Sequence, residues 1–225
     1  RTGIAALALL ILMKFRKQSI KLEKSDLIKI LCTGMIVATH WVLFFESARV
    51  STVSVCLAGM ATVTFWTSLL EPILGKRKVK VFEVALGLVA VVGIAIIFQF
   101  EFDNALGLIL AIAAAFLSAF FYVLNSHYTK KHSPYVITFY EMIGACFTLL
   151  IFIPIYQTTI LNTDVGYAIP TTRDIGFLLV LSLACTVYAF AESVELMRRI
   201  SAFMVNLSIN LEPIYGIIMA VLIYG

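Results

Sequence analysis

The sequence predicts an all-α polytopic membrane protein, and three observations carry that reading. The 225 residues are 61% hydrophobic and only 13% charged, with a mean hydropathy of +1.00. A water-soluble domain of this composition would lack the polar surface that folded proteins give to solvent. Apolar stretches of helix length recur along almost the whole chain, and the charges gather in the short gaps between them. About 20 apolar residues cross a bilayer as a helix, and in hydrocarbon each span must satisfy its own backbone hydrogen bonds. Finally, every second gap is basic.

Eight spans are predicted: 1–13, 27–46, 50–74, 81–100, 105–126, 135–155, 174–197 and 200–224. The first is too short to cross at about 1.5 Å rise per residue and reads as the inner part of a longer helix. The second carries His40 beside Trp41, with Phe44 one turn on. His40 is the one histidine inside a span, and its aromatic neighbours suit stacking on a planar or cationic solute. The third lies between the basic Arg49 and Gly75, and the fourth between Lys80 and the acidic Glu101 and Asp103.

The fifth span has two faces. Gly107, Ala111, Ala115 and Ala119 recur every four residues, a ridge that lets another helix approach closely. Ser118, Tyr122 and Asn125 form a neighbouring polar stripe. The sixth span sets Thr138, Glu141, Ala145 and Thr148 on one face, and the seventh sets Cys185, Tyr188, Glu192 and Glu195 on one face. The eighth aligns Asn206, Asn210 and Pro213, with Glu212 near its middle. Pro213 lacks an N–H and would free the carbonyl of Ile209 beside that carboxyl. The longest gap, 156–173, is polar and carries Pro170.

Lys14, Arg16, Lys17, Lys21 and Lys24 fill the first gap; Lys76, Arg77, Lys78 and Lys80 the third; Lys130 and Lys131 the fifth; Arg198 and Arg199 the seventh. The alternate gaps hold only Arg49 and Arg173, with acidic residues nearby. The positive-inside rule makes the basic loops cytoplasmic, which places the chain in the cell (inner) membrane. The net charge of +4 is thus a topology signal, and a nucleic-acid surface is excluded because the basic residues are split among short loops. Cys32, Cys56, Cys146 and Cys185 lie singly inside spans, without metal spacing, and read as small packing residues.

The third and eighth spans align 150 positions apart: Arg49, Ser51, Val55, Leu57, Ile73 and Gly75 face Arg199, Ser201, Val205, Leu207, Ile223 and Gly225. By the charge rule the two copies cross in opposite directions. The expected architecture is an inverted repeat of two five-helix halves, 1–100 and 101–225, with eight helices present. Inverted repeats are a secondary-transporter design, with the substrate site between the halves near the midplane.

The segment from His40 to Ser51, the following helix to Gly75-Lys76-Arg77-Lys78, and the later Arg199-Ile200-Ser201-Ala202-Phe203 leading into Asn210-Leu211-Glu212-Pro213 resemble the EamA branch of the drug/metabolite transporter superfamily. The resemblance implies ten helices, cytoplasmic termini, a central cavity and alternating access; the chain would then lack the first and last helices. Leu70-Glu71-Pro72 repeats the Leu-Glu-Pro pattern but lies deeper, toward the basic end of its span, so the two motifs are not equivalent.

Intramembrane ionisable and polar groups are functional candidates. The candidate substrate-binding residues are His40, Trp41, Phe44, Tyr122, Asn125, Glu141, Tyr188, Glu192, Asn206, Asn210 and Glu212. The expected function is secondary transport, export of small metabolites, amino acids or drugs, with protons as the candidate coupling ion. The expected partners are the bilayer and a small-molecule substrate, with no cofactor, metal or nucleic acid. Enzyme signatures such as His-Glu-x-x-His and Gly-x-Ser-x-Gly are absent. The alternatives are a receptor or assembly subunit that transports nothing, for which an inverted repeat has no use, and a nucleotide-sugar-type transporter. No Arg or Lys lies deep in a span to meet a phosphate.

Overall fold

The computed structural model describes residues 1–98, 104–159 and 170–211, and no strand occurs among them. The elements are α1 (Thr2–Phe15), α2 (Lys24–Val50), α3 (Val53–Met60), α4 (Val63–Gly75), α5 (Val81–Phe98), α6 (Ala105–Tyr128), α7 (Pro134–Thr159), α8 (Thr172–Ser182), a π-helical stretch (Leu183–Tyr188), α9 (Ala189–Leu196) and α10 (Ala202–Ile209). Among the described residues, five helical stretches are long and apolar enough to cross a membrane: Lys24–Val50, Val53–Gly75, Ala105–Tyr128, Pro134–Thr158 and Thr172–Leu196. These match the second, third, fifth, sixth and seventh predicted spans. The first is a shorter apolar helix, Thr2–Phe15; the fourth is helical over Val81–Phe98; and the eighth is described only through Leu211. The chain is an all-α polytopic membrane protein. Its outward large apolar side chains, such as Val89, Leu106, Phe147 and Phe177, are what a helix needs against lipid.

Of the predicted spans described along their whole length, two are interrupted. The third is α3 and α4, joined by a tight turn at Ala61 and Thr62. There the i→i+3 bonds Ala61 N–H to Ala58 O and Thr62 N–H to Gly59 O, both 3.1 Å, tighten the helix, and the Thr62 hydroxyl also donates to Gly59 O at 2.7 Å. A short 3₁₀ stretch inside a span is a hinge-like feature. The seventh span turns through the π stretch, where the Thr186 hydroxyl donates to Leu181 O, five residues back. A π turn advances the register, so the single face predicted for Cys185, Tyr188, Glu192 and Glu195 is not preserved. Thr186, Ala191 and Val194 are buried instead, while Cys185 and Tyr188 are exposed.

α10 repeats the design of α3. Thr52 and Ser201, 149 positions apart, are extended N-caps whose hydroxyls accept from Val55 N–H and Met204 N–H. Each starts an eight-residue helix, and each helix ends in a two-residue turn with an i→i+3 bond, Thr62 N–H to Gly59 O and Leu211 N–H to Ser208 O. The backbone register of the two segments is therefore one residue from the 150 read off the side chains.

The chain divides into two compact units. One comprises Arg1–Ala38 and Tyr128–Leu196; the other comprises Thr39–His127 and the chain from Met197. In the first, α1 packs on α7, and α7 on α9. In the second, α4 packs on α5 and α10. The ridge of α6 organises this second unit. Gly107 lies against Ser47 and Ser51, and Gly59 of α3 lies against Ala111. Ala115 and Ala119 form a core with Val63, against which Met60, Trp66 and Leu70 pack. The Ser47 hydroxyl donates to Gly107 O at 2.7 Å, and His40 Nδ1 bonds Ala114 O at 2.8 Å, so α2 and α6 run antiparallel here. Of the four cysteines, Cys56 is buried and Cys146 half-buried, as packing residues should be. Cys32 and Cys185 face outward, so the packing reading fails for those two.

Candidate functional site

The described site residues of the second unit lie on α2, α4, α6 and α10. α4 and α10 run antiparallel and are joined by a ladder of polar contacts. Asn210, in the turn that ends α10, donates through Nδ2 to Ala61 O at 3.1 Å and also contacts the Thr64 hydroxyl. One turn on, Asn206 Nδ2 donates to Thr67 Oγ1 at 2.8 Å. At the end of the ladder the Glu71 carboxylate accepts the Phe203 N–H at 3.0 Å through Oε2, and its Oε1 lies 2.6 Å from Arg77 Nη2. The left-handed residue Lys76, with Arg77 N–H bonded to Pro72 O at 3.0 Å, folds the chain back so that Arg77 reaches Glu71.

The spacing explains the ladder. Thr64, Thr67 and Glu71 recur at helical intervals on one face of α4, and Phe203, Asn206 and Asn210 do so on α10. Between two apolar helices such rungs fix register, at roughly 0.6 kcal/mol each in a membrane interior. Asn210 joins the tight turn of one segment to that of the other. Asn210→Ala is therefore expected to lower unfolding stability by about 1–2 kcal/mol. It should also raise amide exchange around Ala61 and Thr62. Thermal unfolding in detergent with exchange mass spectrometry checks both, and wild-type values would show that Asn210 braces nothing.

His40 is 8% exposed and packs edge-on against Phe121 with ring centroids 5.6 Å apart; Phe44 lies 6.3 Å away. Because Ala114 O can only accept, His40 Nδ1 carries the proton, and in the neutral ring Nε2 is an acceptor. Phe121 stacks on Tyr122 at 4.7 Å. Among the described residues of this unit, three buried polar groups have no hydrogen-bond partner in the protein: both amide atoms of the fully buried Asn125, the Oδ1 of Asn206, and the Trp66 indole N–H. Such atoms are costly to bury unmatched, about 1–3 kcal/mol each, and native folds keep few of them without a purpose.

A family model, the EamA-like transporter family, matches residues 105–225, more than half of the chain. This chain belongs to the EamA-like transporter family. It is a membrane transporter of the drug/metabolite type, with the bilayer and a small-molecule substrate as partners. Searches of curated proteins and of solved structures give no match.

In this EamA chain the predicted site residues divide between the units. His40, Trp41, Phe44, Tyr122, Asn125, Asn206 and Asn210 belong to the second; Glu141, Tyr188 and Glu192 belong to the first. Glu212, with Pro213, lies outside the described residues. In the first unit, Glu141 is fully buried on α7, one turn from the equally buried Thr138. Glu192 Oε1 stands 3.5 Å from the Tyr135 hydroxyl, and Tyr188 is 69% exposed. Thr64, Thr67, Glu71 and Arg77 were not among the predicted residues. The signal for Glu71 was present: a carboxyl inside a span, a few residues from a basic loop. Among the described residues, no group of three His, Cys, Asp or Glu side chains stands together as a metal site.

Proposed function

We propose that this transporter is a secondary carrier that moves small amphipathic, zwitterionic or cationic solutes, such as amino acids or drugs, outward by alternating access. Its basic loops face the cytoplasm of a cell whose inner membrane it spans, and protons are the candidate driving ion. The observation that carries the reading is the set of buried polar atoms without protein partners in the second unit, at Asn125, Asn206 and Trp66, on the same unit as the His40–Phe121–Tyr122 aromatic cluster. Amide and indole groups beside aromatic rings bind a solute carrying both charge and apolar surface. Basic groups for a phosphate are not part of this set, which disfavours a nucleotide-sugar substrate. The tight turns of α3–α4 and α10 supply the bending elements that two inverted halves would use to rock around the site.

Flux in proteoliposomes is the test. Purified protein should accelerate counterflow of a labelled substrate, found by screening amino acids and lipophilic cations. Asn125→Leu should raise KM at least about tenfold, the worth of one lost hydrogen bond to a charged group. Absence of flux for every solute would favour the receptor or assembly-subunit alternative.

A further inference from the structure

We propose that Glu71 is a positioning residue for transport, a lock that holds α4 against the start of α10, and that its release limits the maximal rate. This rests on the alternating-access reading above and names the side chains that govern one of its closed ends.

Glu71 is 8% exposed, and each oxygen has a separate task. One neutralises Arg77, which belongs to the basic loop; the other takes the second N–H of α10. The Ser201 hydroxyl takes the Met204 N–H, at 3.3 Å, and Val205 N–H reaches the Ser201 carbonyl at 3.2 Å. Glu71 thus adds to the capping of a buried helix start, where the helix dipole also favours negative charge. The carboxylate ties three segments at once: the end of α4, the loop after it, and the entry to α10.

The lock is one-sided. In the 149-position register the residues that would mirror Glu71, Thr67, Thr64, Asn206 and Asn210 are Ala220, Gly216, Pro213, Leu57 and Ala61. None of these five side chains carries a charge or a hydrogen-bonding group. Among the described residues the polar ladder and its ion pair tie α4 to α10, and these five mirrored side chains could not rebuild it at the opposite end. The two end states are unequal, and the step that breaks Glu71 from Arg77 and Phe203 is the harder one.

Glu71→Gln keeps an oxygen for Phe203 but loses the charge that holds Arg77; Glu71→Asp keeps the charge on a shorter stem. In the full chain, Glu71→Gln should raise amide exchange at Phe203 and Met204 about fivefold and leave α6 unchanged. In proteoliposomes it should raise the maximal rate several-fold at unaltered KM, and Glu71→Asp should restore part of the wild-type behaviour in both assays. Unchanged exchange at Phe203 overturns the lock. A uniform rise in exchange across all helices, with a matching fall in Tm, also overturns it, because that is a general packing defect. If wild-type protein shows no flux while the local exchange response is present, the transport reading falls and Glu71 is only a structural tie.

Discussion

Glu141→Gln is expected to abolish accumulation driven by a pH gradient while sparing exchange of substrate across the membrane at equal pH. Glu141 is fully buried on α7, among Ile137, Thr138, Met142 and Ala145, all buried too. A carboxyl at such depth is expensive when charged, and intramembrane carboxyls that persist mark ion or substrate paths. Gln keeps the size and the hydrogen-bonding carbonyl but cannot give up a proton. A carrier that couples protons through Glu141 would lose its driving force and keep its pathway. Uphill uptake should fall by about 100-fold or more, in line with the roughly 2.7 kcal/mol that two decades of gradient represent. Counterflow should change by less than about threefold. The same assay on Glu192→Gln and Glu212→Gln tells which of the three carboxyls carries the proton. Intact pH-driven uptake in all three variants would end the proton-coupling proposal.

Much of this fold was legible because its signals are local. A run of apolar residues between basic loops is read without knowing any partner, and the α6 ridge of Gly107, Ala111, Ala115 and Ala119 announces close packing through residue size alone. Asn206 and Asn210 were placed on one face by spacing. Their partners were not readable, because Thr67 and Thr64 lie about 140 positions earlier and only the packed α4–α10 pair selects them. The tight turn at Ala61 and Thr62 was missed for a different reason. No proline marks it; a glycine and a threonine hydroxyl do, and both also occur in uninterrupted helices. The π stretch is equally silent in composition, and Tyr188, its last residue, is exposed. Glu71 is visible in the sequence as part of a motif, but its role depends on the left-handed turn at Lys76 that brings Arg77 back.

The crossing of α2 and α7 carries the largest expected effect on stability. Gly34 faces the backbone of Glu141, and Gly144 faces the backbone of Leu31, each so closely that a Cβ would strike the carbonyl of the opposite helix. The contact is reciprocal, and backbone atoms cannot swing aside as a flexible side chain can. Small residues at a helix crossing are how membrane helices gain van der Waals contact without a hydrophobic drive. Gly34→Ala or Gly144→Ala must therefore part the helices, at about 1–3 kcal/mol each. Gly34→Leu or Gly144→Leu should leave no monodisperse protein in detergent. The consequence reaches function, because the crossing is what closes α2 over the turn that holds Glu141. On the proton-coupling proposal, the alanine variants should retain flux but lose coupling, as Glu141 becomes accessible to water and leaks protons. Size-exclusion profiles, Tm and substrate-free proton leak measured on one preparation would show it. Wild-type Tm in the leucine variants would mean that the two helices do not cross here, and the burial of Glu141 would then need another cause.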